Sequence, residues 1–128
     1  MVPVRFVILH HTGFGRDHYD LMIEQSENLA TWQLYHDLRE LPQDSVEAIR
    51  LGDHRKFYLD YEGLVSGGRG DVRRVSSGTC EILHWSPQKC SVRLISESFN
   101  GFFELVLSHS DHWMLVRASG NSDPRGRV

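Results

Sequence analysis

His18, Asp20, Met22 and Glu24 alternate along the chain with Tyr19, Leu21 and Ile23. A period of two marks a half-buried strand, so His18 and Asp20 are expected to project from one face, two residues apart. An imidazole and a carboxylate so placed, joined by a histidine from just upstream, can offer three ligands to a metal ion on one side of a sheet. Donors of the N, N, O kind suit Zn²⁺, Mn²⁺ or Fe²⁺, and the hard carboxylate of Asp20 tilts the choice toward Mn²⁺. Eight histidines stand among the 128 residues. A neutral imidazole is the commonest metal ligand and carries protons near neutral pH, so this excess points toward chemistry. His10 and His11 are neighbours on the preceding apolar stretch and must face opposite ways, so only one of them can join His18. On pattern alone both remain open, and a His-x-Asp pair can also be a plain hydrogen-bonded pair.

Holding such a pair in place takes a sheet, and the chain reads as short strands over 4–10, 18–24, 30–36, 46–51, 71–75, 79–84, 90–96, 102–107 and 112–117. Turn signals separate them at Gly13–Gly15, Pro42–Asp44, Gly67-Gly68, Ser77-Gly78, Ser86-Pro87 and Asn100-Gly101. Asn100-Gly101 is the best hairpin signal, because both residues tolerate positive φ. Only 45–50 could equally be a short helix. Nine strands at this spacing imply a sandwich or a closed barrel, since closure removes unpaired edges. Phe6, Ile8, Leu21, Ile23, Trp32, Leu34, Ile82, Leu94, Leu105, Val106, Leu115 and Val116 are the expected core. Such a core should stand without a metal. Residues 118–128 form a polar tail with nothing to bury, expected to be disordered, which leaves 1–117 as one domain.

Composition narrows the partners. No apolar run approaches the ~18 residues of a membrane span, and no charged-then-apolar leader opens the chain, so the reading is a cytoplasmic monomer. Cys80 and Cys90 flank a hairpin near 85–89 and could face each other across it; a reduced pair of small core residues is expected. The formal charge of −3 is awkward for a nucleic-acid binder, since phosphate neutralisation needs Lys and Arg. Any such surface must be local, with Arg69, Arg73 and Arg74 as its candidates.

Longer stretches carry a family likeness. His18-Tyr-Asp-Leu-Met-Ile-Glu24 resembles the His-Tyr-Asp-Phe-Arg-Leu-Glu signature of the 3′-phosphoesterase domain of bacterial ligase D, the repair ligase of non-homologous end joining. Arg5–His11, Thr31–His36, Asp53–Gly63, Gly101–Leu107 and Trp113–Val116 resemble further segments of that domain in the same order, over roughly 4–117. The resemblance implies a compact β-barrel of eight or nine strands with a short helix and loops against it. It picks His11 over His10, giving His11, His18 and Asp20 as ligands of Mn²⁺, or of Zn²⁺ or Co²⁺. One residue more than in the family separates His11 from His18, which Gly13 and Gly15 could absorb. His54 and Tyr58 correspond to residues that approach the scissile phosphate, where an imidazolium or phenol can donate to its oxygens. His18, His54 and Tyr58 are thus the expected catalytic residues.

Departures from the family matter as much. Met22 stands where the family carries an arginine able to grip a phosphate bidentately, and His36 stands where it carries a lysine. Arg50 and Arg69 are the other cations able to take over the phosphate. Glu24 and Glu62 could orient a ligand histidine, although surface carboxylates are the simpler reading. No basic arm is expected before the first strand, and no attached polymerase or ligase domain is expected, so such partners would be encoded separately. The expected function is metal-dependent processing of DNA or RNA 3′ ends in repair, removing a 3′-phosphate or 3′-ribonucleotide. A non-catalytic module that binds such ends is the alternative, and an esterase for some other phosphate ester a third. Metal binding should weaken below about pH 6, as the histidines protonate.

Overall fold

The computed structural model describes residues 2–118, so the expected tail lies, Ala118 excepted, outside the described residues. Nine strands run in order: β1 (Val4–Thr12), β2 (His18–Glu24), β3 (Leu29–Leu34), β4 (Ser45–His54), β5 (Gly63–Leu64), β6 (Asp71–Trp85), β7 (Lys89–Ser96), β8 (Asn100–His109) and β9 (His112–Arg117). Neighbours pair in the order β1-β2-β3-β4-β9-β8-β7-β6, and β6 pairs back onto β1. The result is a closed eight-stranded antiparallel barrel, with two-residue β5 added beside the start of β6. Helix among the described residues is limited to two 3-10 turns, Leu38–Glu40 and Lys56–Leu59.

The alternation read from β2 sets the two sides of the wall. Leu21 and Ile23 point inward with Phe6, Ile8, Trp32, Leu34, Leu94, Leu105 and Leu115, all buried in one core. Of the expected core, Ile82 only packs against this cluster, and Val106 and Val116 are half-buried on the other face. A barrel of eight strands has an interior that side chains just fill, and Trp32, Phe6 and their neighbours are fully buried there. The outer face of β1, β2 and β6 is covered as well. Segment 55–70 folds over it, and Leu59 and Val65 pack on Val7, Leu9, Met22, Leu29 and Val72. Each fully buried aliphatic side chain contributes roughly 1.5–3 kcal/mol, so this second cluster is a real anchor for the flap. It also explains why β2 is buried on both faces.

Three local expectations are corrected. Residues 71–75 and 79–84 are one strand: Ser77-Gly78 does not turn, and β6 instead passes a bulge between its partners Ile8 and Leu9. Gly78 is there for close packing, because a Cβ would collide with the Ile95 carbonyl oxygen on β7. Asn100-Gly101 already pairs with Ile95 and Leu94, so the β7–β8 turn lies earlier, where the Ser96 hydroxyl accepts from the Ser98 and Phe99 amides. Residues 45–50 belong to β4, so the strand reading of 46–51 holds over its helical alternative. Cys80 pairs with Leu94 and Cys90 with Trp85, so the two thiols do not oppose each other; both are free and buried.

Candidate metal centre

His11 and His18 are direct cross-strand partners on β1 and β2. Side chains of such pairs stand about 5 Å apart at Cβ on the same face, and here the ring centroids are 4.7 Å apart. Asp20, one step of two along β2, lies on the same outer face. One ligand atom from each of the three lies within 4.8 Å of the others. His10 faces away and stacks on Tyr19 at 4.6 Å, so geometry joins His11 to the group and leaves His10 out. Gly13 and Gly15, at φ of 79° and 69°, lie in the connection between the two strands.

Backbone carbonyls fix which nitrogen of each ring looks inward. His11 donates from Nε2 to the Arg69 carbonyl at 2.6 Å, and His18 donates from Nδ1 to the Arg16 carbonyl at 2.9 Å. The opposite nitrogens, Nδ1 of His11 and Nε2 of His18, then face Asp20 at 3.3 Å and 3.4 Å. In neutral rings both are lone pairs, pointed at a carboxylate whose Oδ1 is buried with no hydrogen-bond partner. That arrangement calls for a cation between them. It is supplied either by protons on the imidazoles or by one metal ion shared by all three donors, and the unpartnered Oδ1 fits the second. Asp20 holds the pKa of both histidines above the ordinary value, against burial acting to lower it. Burial pushes the Asp20 carboxyl up, but the two histidines together outweigh it and bring its pKa below the ordinary range.

The triad lies in the wall of a cleft of about 260 Å³ whose lining includes Phe14, Met22, Gln33, His54, Tyr58 and Arg69. His54 and Tyr58 come from the end of β4 and the 3-10 turn after it, with ring centroids 5.9 Å apart. His54 donates from Nδ1 to the Gly52 carbonyl at 2.8 Å, so as an imidazolium it donates from Nε2 as well. A second cleft of about 340 Å³ shares His54, Tyr58 and Arg69 with the first and continues it along Gly52, Asp53 and Arg55. Arg69 reaches both, its guanidinium resting on the Ser66 carbonyl at 2.7 Å. A larger open trough of about 640 Å³ between β6 and β7 is lined mainly by serines and threonine and lies apart from these groups.

The structure separates most of the other expected residues from this cleft. Arg50 pairs with inward-facing Trp32, lies 4.4 Å over its ring, and meets Asp53 at 3.6 Å. His36 is exposed beyond the end of β3 and does not line the cleft. Met22 does border it, as its face predicts, yet it is only 1% exposed and belongs to the apolar cluster under the flap. Glu24 accepts from the Arg5 amide and Glu62 from the Arg74 amide, so neither orients a ligand histidine; carbonyls do that instead. Arg73 pairs with Asp71 at 2.9 Å. Phe14 and Gln33 were missed. The alternation of β3 around Trp32 and Leu34 puts Gln33 on the outer face, opposite Asp20, and could have identified it.

The family model of the DNA ligase D 3′-phosphoesterase domain matches residues 9–107. Two similar proteins are the multifunctional non-homologous end joining protein LigD of Mycobacterium bovis and the multifunctional non-homologous end joining DNA repair protein LigD of Mycobacterium tuberculosis. Each is 28% identical over 127 residues, covering 94% of this chain. The chain spans 17% of the length of either relative. Among the described residues no helix is long and apolar enough to cross a membrane.

Proposed function

Since the chain belongs to the DNA ligase D 3′-phosphoesterase domain family, we propose that it is a divalent-metal-dependent phosphoesterase that processes the 3′ ends of DNA or RNA in repair. The observation that carries this reading is the convergence of two imidazole lone pairs and an unpartnered buried carboxylate oxygen on one point of a cleft. His11, His18 and Asp20 would hold one ion, Mn²⁺ first, or Zn²⁺ or Co²⁺. Such an ion, when bound, polarises phosphoryl oxygens and lowers the pKa of water.

The chain's own groups do the rest. The carbonyls of Arg69 and Arg16 hold the two ligand rings in the tautomers that turn lone pairs inward. His54, anchored through Nδ1, donates from Nε2 as the imidazolium to a phosphate oxygen or to the departing 3′ oxygen. The Tyr58 hydroxyl is a second donor on the same rim. Arg69 is a cation placed to grip the phosphate where Met22 replaces the family arginine, its guanidinium held, among the described residues, by Ser66 alone. The partners in this reading are nucleic-acid 3′ ends, with a repair ligase or polymerase acting on the product.

Purified protein, Mn²⁺ and a primer–template ending in a 3′-phosphate test the reading. Phosphate release is expected from wild type and not from His18→Ala, with strand binding retained in both. Met22 favours a second reading, an end-binding module. Tight binding without release from any 3′ end would establish that reading instead.

A further inference from the structure

Four large apolar side chains are exposed among the described residues, and one of them, Phe14, lines the cleft that holds the triad. It is 50% exposed. Its ring runs nearly parallel to that of His11, with an interplanar angle of 19° and centroids 6.2 Å apart. The loop that presents it is seated. Gly70 approaches the Thr12 carbonyl so closely that a Cβ would collide with it, and a Cβ on Gly13 would stand 3.5 Å from the Gly70 Cα. The flanking Gly13 and Gly15 both hold positive φ, which turns the chain sharply enough to lift the ring out of the wall. A fixed aromatic face in water, beside a site built for a phosphate, suits a ligand that joins an anion to a flat ring.

We propose that Phe14 is a base-stacking residue, on which the 3′-terminal nucleobase rests while its phosphate lies at the triad. This deepens the reading of the site as a 3′-end-processing centre and rests on it. Stacking is tolerant of sequence because every base has a π face, so Phe14 selects for a nucleotide without selecting which one. Inorganic phosphate or an aliphatic phosphate ester gains nothing from it. Arg16 follows two residues later on the same loop, its guanidinium 4.0 Å over the Tyr35 ring, and Arg69 lies on the cleft wall.

Two short oligonucleotides test this, one ending in a normal nucleoside 3′-phosphate and one in an abasic 3′-phosphate. Each is titrated in Mn²⁺ by fluorescence anisotropy and then followed for phosphate release. Phe14→Ala is expected to weaken binding of the base-ended strand about ten-fold or more, leaving the abasic strand and Mn²⁺ affinity unchanged. Phe14→Trp should restore it. Equal losses on both strands, or a loss of Mn²⁺ affinity, would show that the ring merely packs on His11 and would overturn the proposal, as would no change on either. If wild type discriminates the strands through Phe14 but releases no phosphate, stacking stands and the phosphoesterase reading fails. If it releases phosphate equally well with and without Phe14, the reverse holds.

Discussion

Replacing Asp20 by asparagine keeps the shape of the side chain and removes its charge, and the structure predicts that the effect on stability changes sign with pH. The carboxylate is 4% exposed and its two histidine partners 13% and 9%, so water screens the group little. Without metal, imidazolium protons fill the gap between the rings and Asp20. Both histidine pKa values are raised in the folded state, so their stabilisation is fully present below the unfolded value and is lost as pH rises through the folded one. The Asp20 pKa is lowered, so its share is present above the ordinary carboxylate range and is lost as pH falls through the folded value. The cluster therefore stabilises the metal-free protein most between about pH 4 and 6.5. There Asp20→Asn should cost about 1.5–3 kcal/mol, the worth of a hydrogen bond to a charged group. That is a drop in melting temperature on the order of 10 °C for a domain of this size. Once pH has risen through the folded histidine values the rings are neutral and the carboxylate faces two lone pairs, so there the variant should melt at or above wild type. Thermal melts in chelator across that range read the crossing. Melting profiles that stay parallel would refute the assignment of inward-facing lone pairs. In the same variant Mn²⁺ affinity should fall by more than the 10–100-fold that losing an outer partner of a ligand brings.

Mn²⁺ must displace the protons that bridge the triad, so binding should release protons and weaken from above the ordinary histidine pKa, higher than pattern alone suggests; calorimetry in buffers of different ionisation enthalpy would count them. Burial pushes the Cys80 thiol to about 12 and that of Cys90 to about 11, so neither should react with iodoacetamide at pH 8 until denaturant unfolds the barrel. Gly78→Ala drives a Cβ into the Ile95 carbonyl and should destabilise by roughly 1–3 kcal/mol in a urea melt, with Mn²⁺ affinity unchanged. Met22→Arg should raise kcat/KM on a 3′-phosphate end ten-fold or more, equivalent to at least ~1.4 kcal/mol, while lowering the melting temperature because the site is apolar and closed. An unchanged rate would mean that Arg69 already grips the phosphate.

What the sequence revealed follows from local rules. The period of two in residues 18–24 correctly separated the Leu21 side from the His18 side, because one face of β2 packs on Trp32 and the other does not. The same rule carried most of the core. It failed where pairing, not pattern, decides. Arg50 looked available as a phosphate cation, but its register opposite Trp32 turns it to the inner face, while Leu51, opposite Thr31, takes the outer one. Ser77-Gly78 had the composition of a turn, yet that glycine serves a close approach to β7 that only the tertiary fold creates. Met22 was assigned to the right face but was expected at an open pocket edge. Its burial comes from Leu59 and Val65, residues of a flap with no strand-like period to announce it.

That flap decides how the site and the fold depend on each other. The barrel interior is lined by its own apolar side chains, and the candidate ligand set stands on the outer wall, where a metal would contribute nothing to the main core. Wall and flap are joined by the short β5–β6 pairing, by Arg5 to Asp60, Lys56 to Glu24 and the Arg74 amide to Glu62, and at the triad itself by the hydrogen bond from the His11 ring to the Arg69 carbonyl, beside the small apolar cluster around Leu59 and Val65. An ion held by His11 Nδ1 would polarise the ring and strengthen the donation from Nε2 to that carbonyl. Metal binding at the triad would therefore tighten this contact with the flap, while the closed ladder from β1 round to β6 stands apart from it. Chelation should thus speed amide exchange in 55–70 far more than in β7 and β8, and lower the melting temperature only modestly. Unfolding of the whole barrel on chelation at 25 °C would make the ion part of the structure and undo this separation.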